Sequence, residues 1–427
     1  MLSAWSNTKY RLTNYLDSST NIRDFSWALS VIILWRLLLS VLGVVFLRDY
    51  LPNPPWVGEP IYETHWVTAP NWNPAISTFV NSWFRWDTGW YLKIAAYGYS
   101  PDDGSIIFPP LYPFLIRIFA PLVGGHYLLS ALCISSLFAL LTILLLLRLV
   151  RLDSNEHTAR RAALYLIAFP SGFFLLAGYS ESLFLALTLL AWLMARQGRW
   201  FLSGLAATLS TLARLQGWLI VLPLAWMVLS PKTLHENLTP SQQVFQTFRL
   251  FRYKSYWQTV LMRVKQGAWV TLFLPPLAFL SFQTWLDLTG LGSISSAYLH
   301  VWKMSIVPPW EGLSSIVQRL FSSQLMFIDW VDLILFVTFV VLSFASLRHL
   351  EPAYSLYIWS TLGLILMRGY SAHLMAGFMR YMLTLFPVFI LLAKFGGKRT
   401  FHFTLLILFV PLQIFLLWLF LHWIWVA

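Results

Sequence analysis

The sequence has one cysteine, Cys133, in 427 residues, which excludes an internal disulfide and any multi-cysteine metal site. Charge is also scarce: 11% of residues are Asp, Glu, Lys or Arg, against about a quarter in a soluble domain. So little polar surface cannot cover a chain that is 58% hydrophobic, and a water-soluble globule is ruled out. The Gly-rich loop ending in Lys-Ser/Thr that seats nucleotide-driven chemistry is missing. A cleavable leader is not seen either. The start is polar, and the apolar run from Phe25 to Leu47 is long enough to span, so it reads as a signal anchor. Neither an internal repeat nor the inverted halves of many transporters can be discerned.

Hydrophobic runs instead recur from residue 25 onward, so residues 1–427 read as a single membrane-embedded domain, all-α and polytopic. The formal charge of +12 does not point to nucleic acid. Its basic residues cluster between the runs, where the positive-inside rule places them on the cytoplasmic side. The first span, near 25–47, leaves Lys9, Arg11 and Arg23 in the cytoplasm with the N-terminus. Residues 48–125 follow as a large first outer loop rich in Pro, Trp, Tyr and Asn, with the acids Asp49, Glu59, Glu63, Asp87, Asp102 and Asp103. Within it, 106–123 is apolar but broken by Pro109, Pro110, Pro113 and Pro121. Taken as interfacial or re-entrant, it keeps Arg148, Arg151, Arg160 and Arg161 inside. Further spans are expected near 126–147, 162–178, 183–195, 200–213, 217–230, 268–288, 329–347, 354–369, 382–394 and 401–425. That makes about eleven transmembrane helices. Residues 231–267 read as a basic cytoplasmic loop and 289–328 as a second outer loop. The acceptor-like Asn237-Leu238-Thr239 falls inside and is set aside.

The segment Phe84-Arg85-Trp86-Asp87-Thr88-Gly89-Trp90-Tyr91 is the most informative. Asp87 stands among large aromatics just before a short helix. One role for it is an N-cap, its side chain accepting a backbone N–H. The other is a base, since a carboxylate in a partly apolar pocket at a membrane face suits deprotonation of a sugar hydroxyl. The rings of Trp86, Trp90 and Tyr91 suit both the interface and the apolar face of a sugar.

Arg85-Trp86-Asp87, followed by Tyr91-Leu92, Ile94-Ala95 and Gly98-Tyr99, resembles the signature of the PIG-V-type (GPI mannosyltransferase II-like) family of the wider GT-C class. Ile107-Phe108-Pro109-Pro110-Leu111-Tyr112-Pro113 resembles the next element of that family. Tyr179-Ser180-Glu181-Ser182-Leu183-Phe184 and Leu212-Ala213-Arg214-Leu215-Gln216-Gly217 are similar to later blocks, and Arg380-Tyr381 ahead of Phe386-Pro387 to a late outer one. The blocks stand in family order. The resemblance implies a GT-C-like bundle whose first outer loop carries juxtamembrane helices. It implies inverting transfer of a sugar, mannose by analogy, from a polyprenyl- or dolichyl-phosphate carrier to a glycolipid or glycan acceptor on the outer or lumenal face. Asp87 would be the general base. The chain departs from the family pattern at Trp90, where a His is usual, at the extra Pro110, and in the displaced Asp102 and Asp103. These departures bear on sugar and acceptor more than on reaction class.

A donor phosphate needs cations on the outer side, where Arg can bind two oxygens at once. Arg214 and Arg380 are the candidates, with Arg85 and Lys303 behind them; snorkelling to the interface is the other reading of the first two. Tyr179 opens the block that holds Glu181, which orients the acceptor, holds a cation or caps a helix. His373 either touches substrate or is structural. Arg36 is either paired inside the bundle or marks a misplaced span. No obligate metal or cofactor is expected, although a divalent cation on Asp102 and Asp103 is compatible with a phosphate substrate. The competing class is a lipid-linked-sugar flippase or secondary transporter. It wants ionisable groups near the midplane, whereas the acids here lie mainly in loops. A non-catalytic subunit of a glycosylation complex is a third class, against which the intact Asp87 argues.

Overall fold

A computed structural model describes residues 18–48, 73–101, 103–230, 238–321, 325–369 and 377–426. Asp102, His373 and Asn237 lie outside the described residues, as do Asp49, Glu59 and Glu63.

The described chain is mostly helical. α1 (Ser18–Phe46) is followed by the short α2 (Pro74–Asn81), α3 (Asp87–Tyr97) and α4 (Leu111–Phe119). Next come α5 (Tyr127–Arg151), α6 (Glu156–Ala168), α7 (Glu181–Arg196), α8 (Trp200–Ala213) and α9 (Val221–Leu229). The expected basic loop folds largely into α10 (Pro240–Leu250) and α11 (Lys254–Arg263), and α11 runs on into α12 (Trp269–Leu288). The remainder comprises α13 (Ile294–His300), α14 (Pro309–Leu320), α15 (Phe327–His349), α16 (Pro352–Leu366), α17 (Phe378–Leu383), α18 (Phe386–Phe395) and α19 (Arg399–Leu421). Two-residue strands β1 (Ser305–Ile306) and β2 (Arg368–Gly369) pair antiparallel, with Ser305 opposite Gly369.

Five stretches are long and apolar enough to cross a membrane: Asn21–Phe46, α5, the joined α11–α12, α15 and α19. The other expected spans fall on shorter helices, well under the ~20 residues a straight crossing needs. Polar breaks bound two of them where the sequence places them. α7 begins at Glu181, after the turn at Tyr179-Ser180. α8 ends where Arg214 turns extended (φ −149°, ψ 135°), and a 3-10 turn, Leu215–Ile220, carries the chain into α9. The proline-broken stretch 106–123 forms only the short α4 between two 3-10 turns, packed on α3 and α5. Pro113 sits in the first turn of α4, where a missing N–H costs nothing.

Backbone contact at small residues holds the bundle tight. A Cβ on Gly204 of α8 would stand 2.7 Å from the backbone of Val270 and Thr271 on α12. Nearby, the Thr271 hydroxyl donates to the Trp200 carbonyl at 2.7 Å. Without water to drive association, such close approach is the main source of helix–helix attraction in a bilayer. Gly204→Val is expected to push α8 and α12 apart and destabilise the fold by about 1–3 kcal/mol. The check is a tryptophan-fluorescence melt in detergent.

The two ends of the bundle carry separate sets of ion pairs. α7, 16 residues long, runs from Glu181 at one end to Arg196 at the other, about 24 Å away. At the Arg196 end, Arg196 pairs with Asp153 (2.7 Å) and Glu351 (3.1 Å), and Arg151 pairs with Asp24 and Glu156. Arg36 lies within α1 and donates to the Leu132 carbonyl (3.3 Å), the Ser136 hydroxyl (2.7 Å) and the Leu176 carbonyl. Its guanidinium stands 5.1 Å over the Trp83 ring. Arg36 is therefore held inside the bundle, which answers for α1 the question the sequence left open.

Candidate active site

The site is built at the Glu181 end, and its first component is the turn before α3. The indole N–H of Trp83 donates to Ser40 of α1 at 3.0 Å, tying the turn to the bundle. Trp86 then takes an unusual backbone conformation for a residue with a side chain, φ 51° and ψ −124°. α3 starts at the next residue, Asp87. Its N-cap is Trp86, and no side chain caps it, so the N-cap role considered for Asp87 is not the one observed. The Asp87 carboxylate goes elsewhere. Its Oδ2 accepts from Arg380 Nη1 at 2.5 Å, across 293 residues of sequence.

That contact opens a chain of buried ions. Arg380 Nε donates to Glu181 Oε1 at 2.5 Å, and Arg214 Nη1 donates to the same oxygen at 2.5 Å. Glu181 is fully buried, and Asp87, Arg214 and Arg380 are each at most 9% exposed. Two guanidiniums and two carboxylates thus balance in a space where an unpaired charge would be expensive. Snorkelling accounts for neither arginine, because both side chains turn inward to Glu181. Nor does Glu181 act as a cap; Ser180 holds that place, and the carboxylate of Glu181 serves the arginines.

Aromatic rings fix the ions in position. The Arg380 guanidinium lies 4.6 Å from the Tyr179 ring and 5.3 Å from Phe174, and that of Arg214 lies 5.4 Å from Tyr381. The Tyr179 hydroxyl accepts the Asp87 N–H at 3.2 Å and donates to the Arg85 carbonyl at 3.4 Å. The Tyr91 hydroxyl meets Ser180 at 2.9 Å, and burial pushes its phenol up, so it keeps its proton. Asp87, Tyr91, Tyr179, Glu181, Arg214 and Arg380 are therefore brought together.

The other residues singled out in the sequence stand apart from this cluster. Arg85 turns away, donating to the carbonyls of Leu421 (2.8 Å), Phe84 (2.8 Å) and Asn81 (3.3 Å). The Trp86 ring packs beside Trp423 and Trp425. Asp103 pairs with Lys93 and accepts the Ser105 N–H at 2.8 Å, which shapes the loop. Trp90 stacks on Phe108 and touches Trp302, whose indole donates to the Gly104 carbonyl at 3.0 Å. Lys303 follows, exposed and at φ 52°. Among the described residues, no three His, Cys, Asp or Glu side chains converge in a way that could hold a metal ion.

This docking joins the two segments expected as outer loops. A Cβ on Gly104, already at φ 80°, would lie 2.6 Å from Trp302 Nε1 and 2.8 Å from Val301 Cγ1. Gly104→Ala is expected to undock Trp302 and speed proteolysis within 289–321 while leaving the ion cluster paired. Limited proteolysis read by mass spectrometry checks it.

Sequence reasoning missed Gln216, although it lies in a quoted block. Its amide donates to Thr384 Oγ1 at 3.0 Å, while the Thr384 hydroxyl gives its own proton to the Tyr381 carbonyl at 2.6 Å. Thr384 can therefore only accept, which fixes the Gln216 nitrogen toward it and turns Oε1 away. Among the described residues, neither that Oε1 nor Glu181 Oε2, both buried, has a donor. The only signal in the sequence was a polar amide inside an apolar run.

No curated protein and no solved structure matches the chain. Residues 32–286 match the family model described as Mannosyltransferase (PIG-V), more than half of the sequence. The match takes in Asp87, Tyr179, Glu181 and Arg214, while Arg380 and the segment after α19 lie beyond it. With a buried acid–arginine cluster in an apolar helical bundle and this match, the chain belongs to the mannosyltransferase (PIG-V) family and is a membrane glycosyltransferase.

Proposed function

We propose that the protein transfers mannose, with inversion, from a polyprenyl- or dolichyl-phosphate carrier to a hydroxyl of a glycolipid or glycan, with Asp87 as general base. The observation that carries the reading is the buried chain Asp87–Arg380–Glu181–Arg214. In the reaction the acceptor oxygen attacks the anomeric carbon as its proton passes to Asp87. The bond from that carbon to the phosphate oxygen breaks, and the lipid phosphate leaves with one more negative charge. Arg380 and Arg214 receive that charge, each with N–H groups beyond those spent on Glu181. The donor phosphate also competes with Asp87 for Nη1 of Arg380, so binding the donor frees the base. Sugar hydroxyls, which a phosphate dianion cannot replace as donors, suit the unpaired oxygens of Glu181 and Gln216.

Charge distribution supports the orientation. The Arg151, Arg160 and Arg196 end faces the cytoplasm by the positive-inside rule, and the Asp87 end then faces outward or into a lumen. Helices α2, α3 and α4 make up the juxtamembrane part of the first outer loop. The test is incubation of the protein in nanodiscs with polyprenyl-phosphate-mannose and glycolipid acceptors, followed by mass spectrometry and anomeric NMR. Donor cleavage with a product of opposite anomeric configuration is expected. Donor that is bound or moved across the bilayer intact would instead establish a carrier.

A further inference from the structure

The Arg85-Trp86-Asp87 turn is gripped by residues nearly 340 positions away. Arg85 Nε donates to the Leu421 carbonyl at 2.8 Å, and its guanidinium lies 5.0 Å over the Trp423 ring. The Trp86 ring meets Trp425 edge-on, with centroids 5.0 Å apart, and Trp423 at 5.7 Å. After α19 the chain must reverse to make these contacts. The Ile424 N–H bonds the Leu419 carbonyl at 3.0 Å, and Trp423 sits at φ 59°. Two residues with side chains, Trp86 and Trp423, therefore hold positive φ angles on the two sides of one contact. Such conformations persist only where surrounding contacts over-determine them.

The position of the strain matters more than its presence. Trp86 is the residue immediately before Asp87, and its φ and ψ set the direction in which α3 leaves the turn. From α7's side, Tyr179 reaches both neighbours of Trp86, accepting the Asp87 N–H and donating to the Arg85 carbonyl. The turn is thus held between the Tyr179 hydroxyl and the tryptophans that follow α19.

We propose that Trp423 and Trp425 form an aromatic clamp that positions Asp87 for proton abstraction by holding Trp86 in its unusual backbone conformation. They are positioning residues, acting through Trp86 and Arg85 rather than on substrate. The proposal rests on Asp87 being the base, and its test separates the two ideas.

Trp423→Ala, Trp425→Ala and the double variant are compared with Trp423→Phe, which keeps a ring beside Trp86. A control for general destabilisation is Phe389→Leu, whose ring packs on Phe169 within the bundle. Hydrogen–deuterium exchange of peptides covering 84–90 reads the clamp without any activity. Faster exchange there in the alanine variants, absent in Phe389→Leu and restored by Trp423→Phe, is expected. In the mannose-transfer assay kcat falls about 10- to 100-fold in the double variant, as for a displaced reacting group, with the donor KM little changed. Unchanged exchange at 84–90 overturns the clamp whatever the activity. Faster exchange with kcat unchanged overturns its positioning role. Should the wild type cleave no donor while exchange still responds, the clamp stands as a structural device and the functional reading fails.

Discussion

Asp87→Asn is expected to lower the transfer rate about a thousandfold while leaving the bundle folded, since positioned general bases contribute about 10²–10⁴. The substitution is nearly isosteric. Its amide oxygen can still accept from Arg380 Nη1, so that contact survives. Basicity disappears, and with it one of the two negative charges that balance the arginines, so some stability is lost as well. An N-cap would respond differently, because Asn and Asp are equivalent there. Asp87→Glu retains a carboxylate but displaces it by one methylene, and an intermediate rate is expected. Donor KM is the second readout. If the donor phosphate competes with Asp87 for Arg380, the neutral amide competes less well, and donor binding by Asp87→Asn tightens while turnover falls. Rates like wild type from a well-folded Asp87→Asn protein would remove Asp87 as base and turn attention to Glu181.

The four ions of the site were legible in the sequence because the chain is so poor in charge. In a polypeptide with 11% charged residues, an acid or arginine at the edge of an apolar run stands out. A cation or acid in a bundle interior is also a functional candidate by default. Their pairing was not legible. Asp87, Glu181, Arg214 and Arg380 are separated by 33 to 293 residues, and no periodicity links them. Arg85 shows the opposite limit. It is adjacent to Asp87 in sequence, yet it points to the end of α19, since a side chain's direction depends on the φ and ψ of its turn. Helix boundaries followed hydropathy where a run was uninterrupted, as in α5 and α15. They also followed the polar breaks at Tyr179-Ser180 and Arg214, which deliver side chains to the site, and departed at 162–178, where α6 ends at Ala168 and a 3-10 turn follows at Gly172–Leu175. The helices within 240–263 were hidden by their polarity, because a polar helix lacks the continuous apolar run by which spans were recognised.

Glu181→Gln should be the most destabilising single change in the site. Both arginines converge on one oxygen of Glu181, and Asp87 alone cannot balance them. Loss of its charge leaves an uncompensated buried guanidinium, at a cost of about 3–5 kcal/mol for a broken buried pair. Arg214→Gln, by contrast, leaves Glu181 bound to Arg380 and Arg380 bound to Asp87, so a smaller loss is expected. The double variant Glu181→Gln with Arg214→Gln restores charge balance. It should be more stable than Glu181→Gln alone, a non-additivity proper to residues in one network. Activity should not follow stability. The double variant has lost one of the two cations that receive the leaving phosphate, so transfer remains low even where the fold recovers. The single variant carries a further signature, since an excess buried positive charge is an anion site. Added polyprenyl phosphate should therefore raise the melting temperature of Glu181→Gln more than that of wild type. Equal shifts in both proteins would show that the arginines do not face the phosphate, and the donor would have to be placed elsewhere in the bundle.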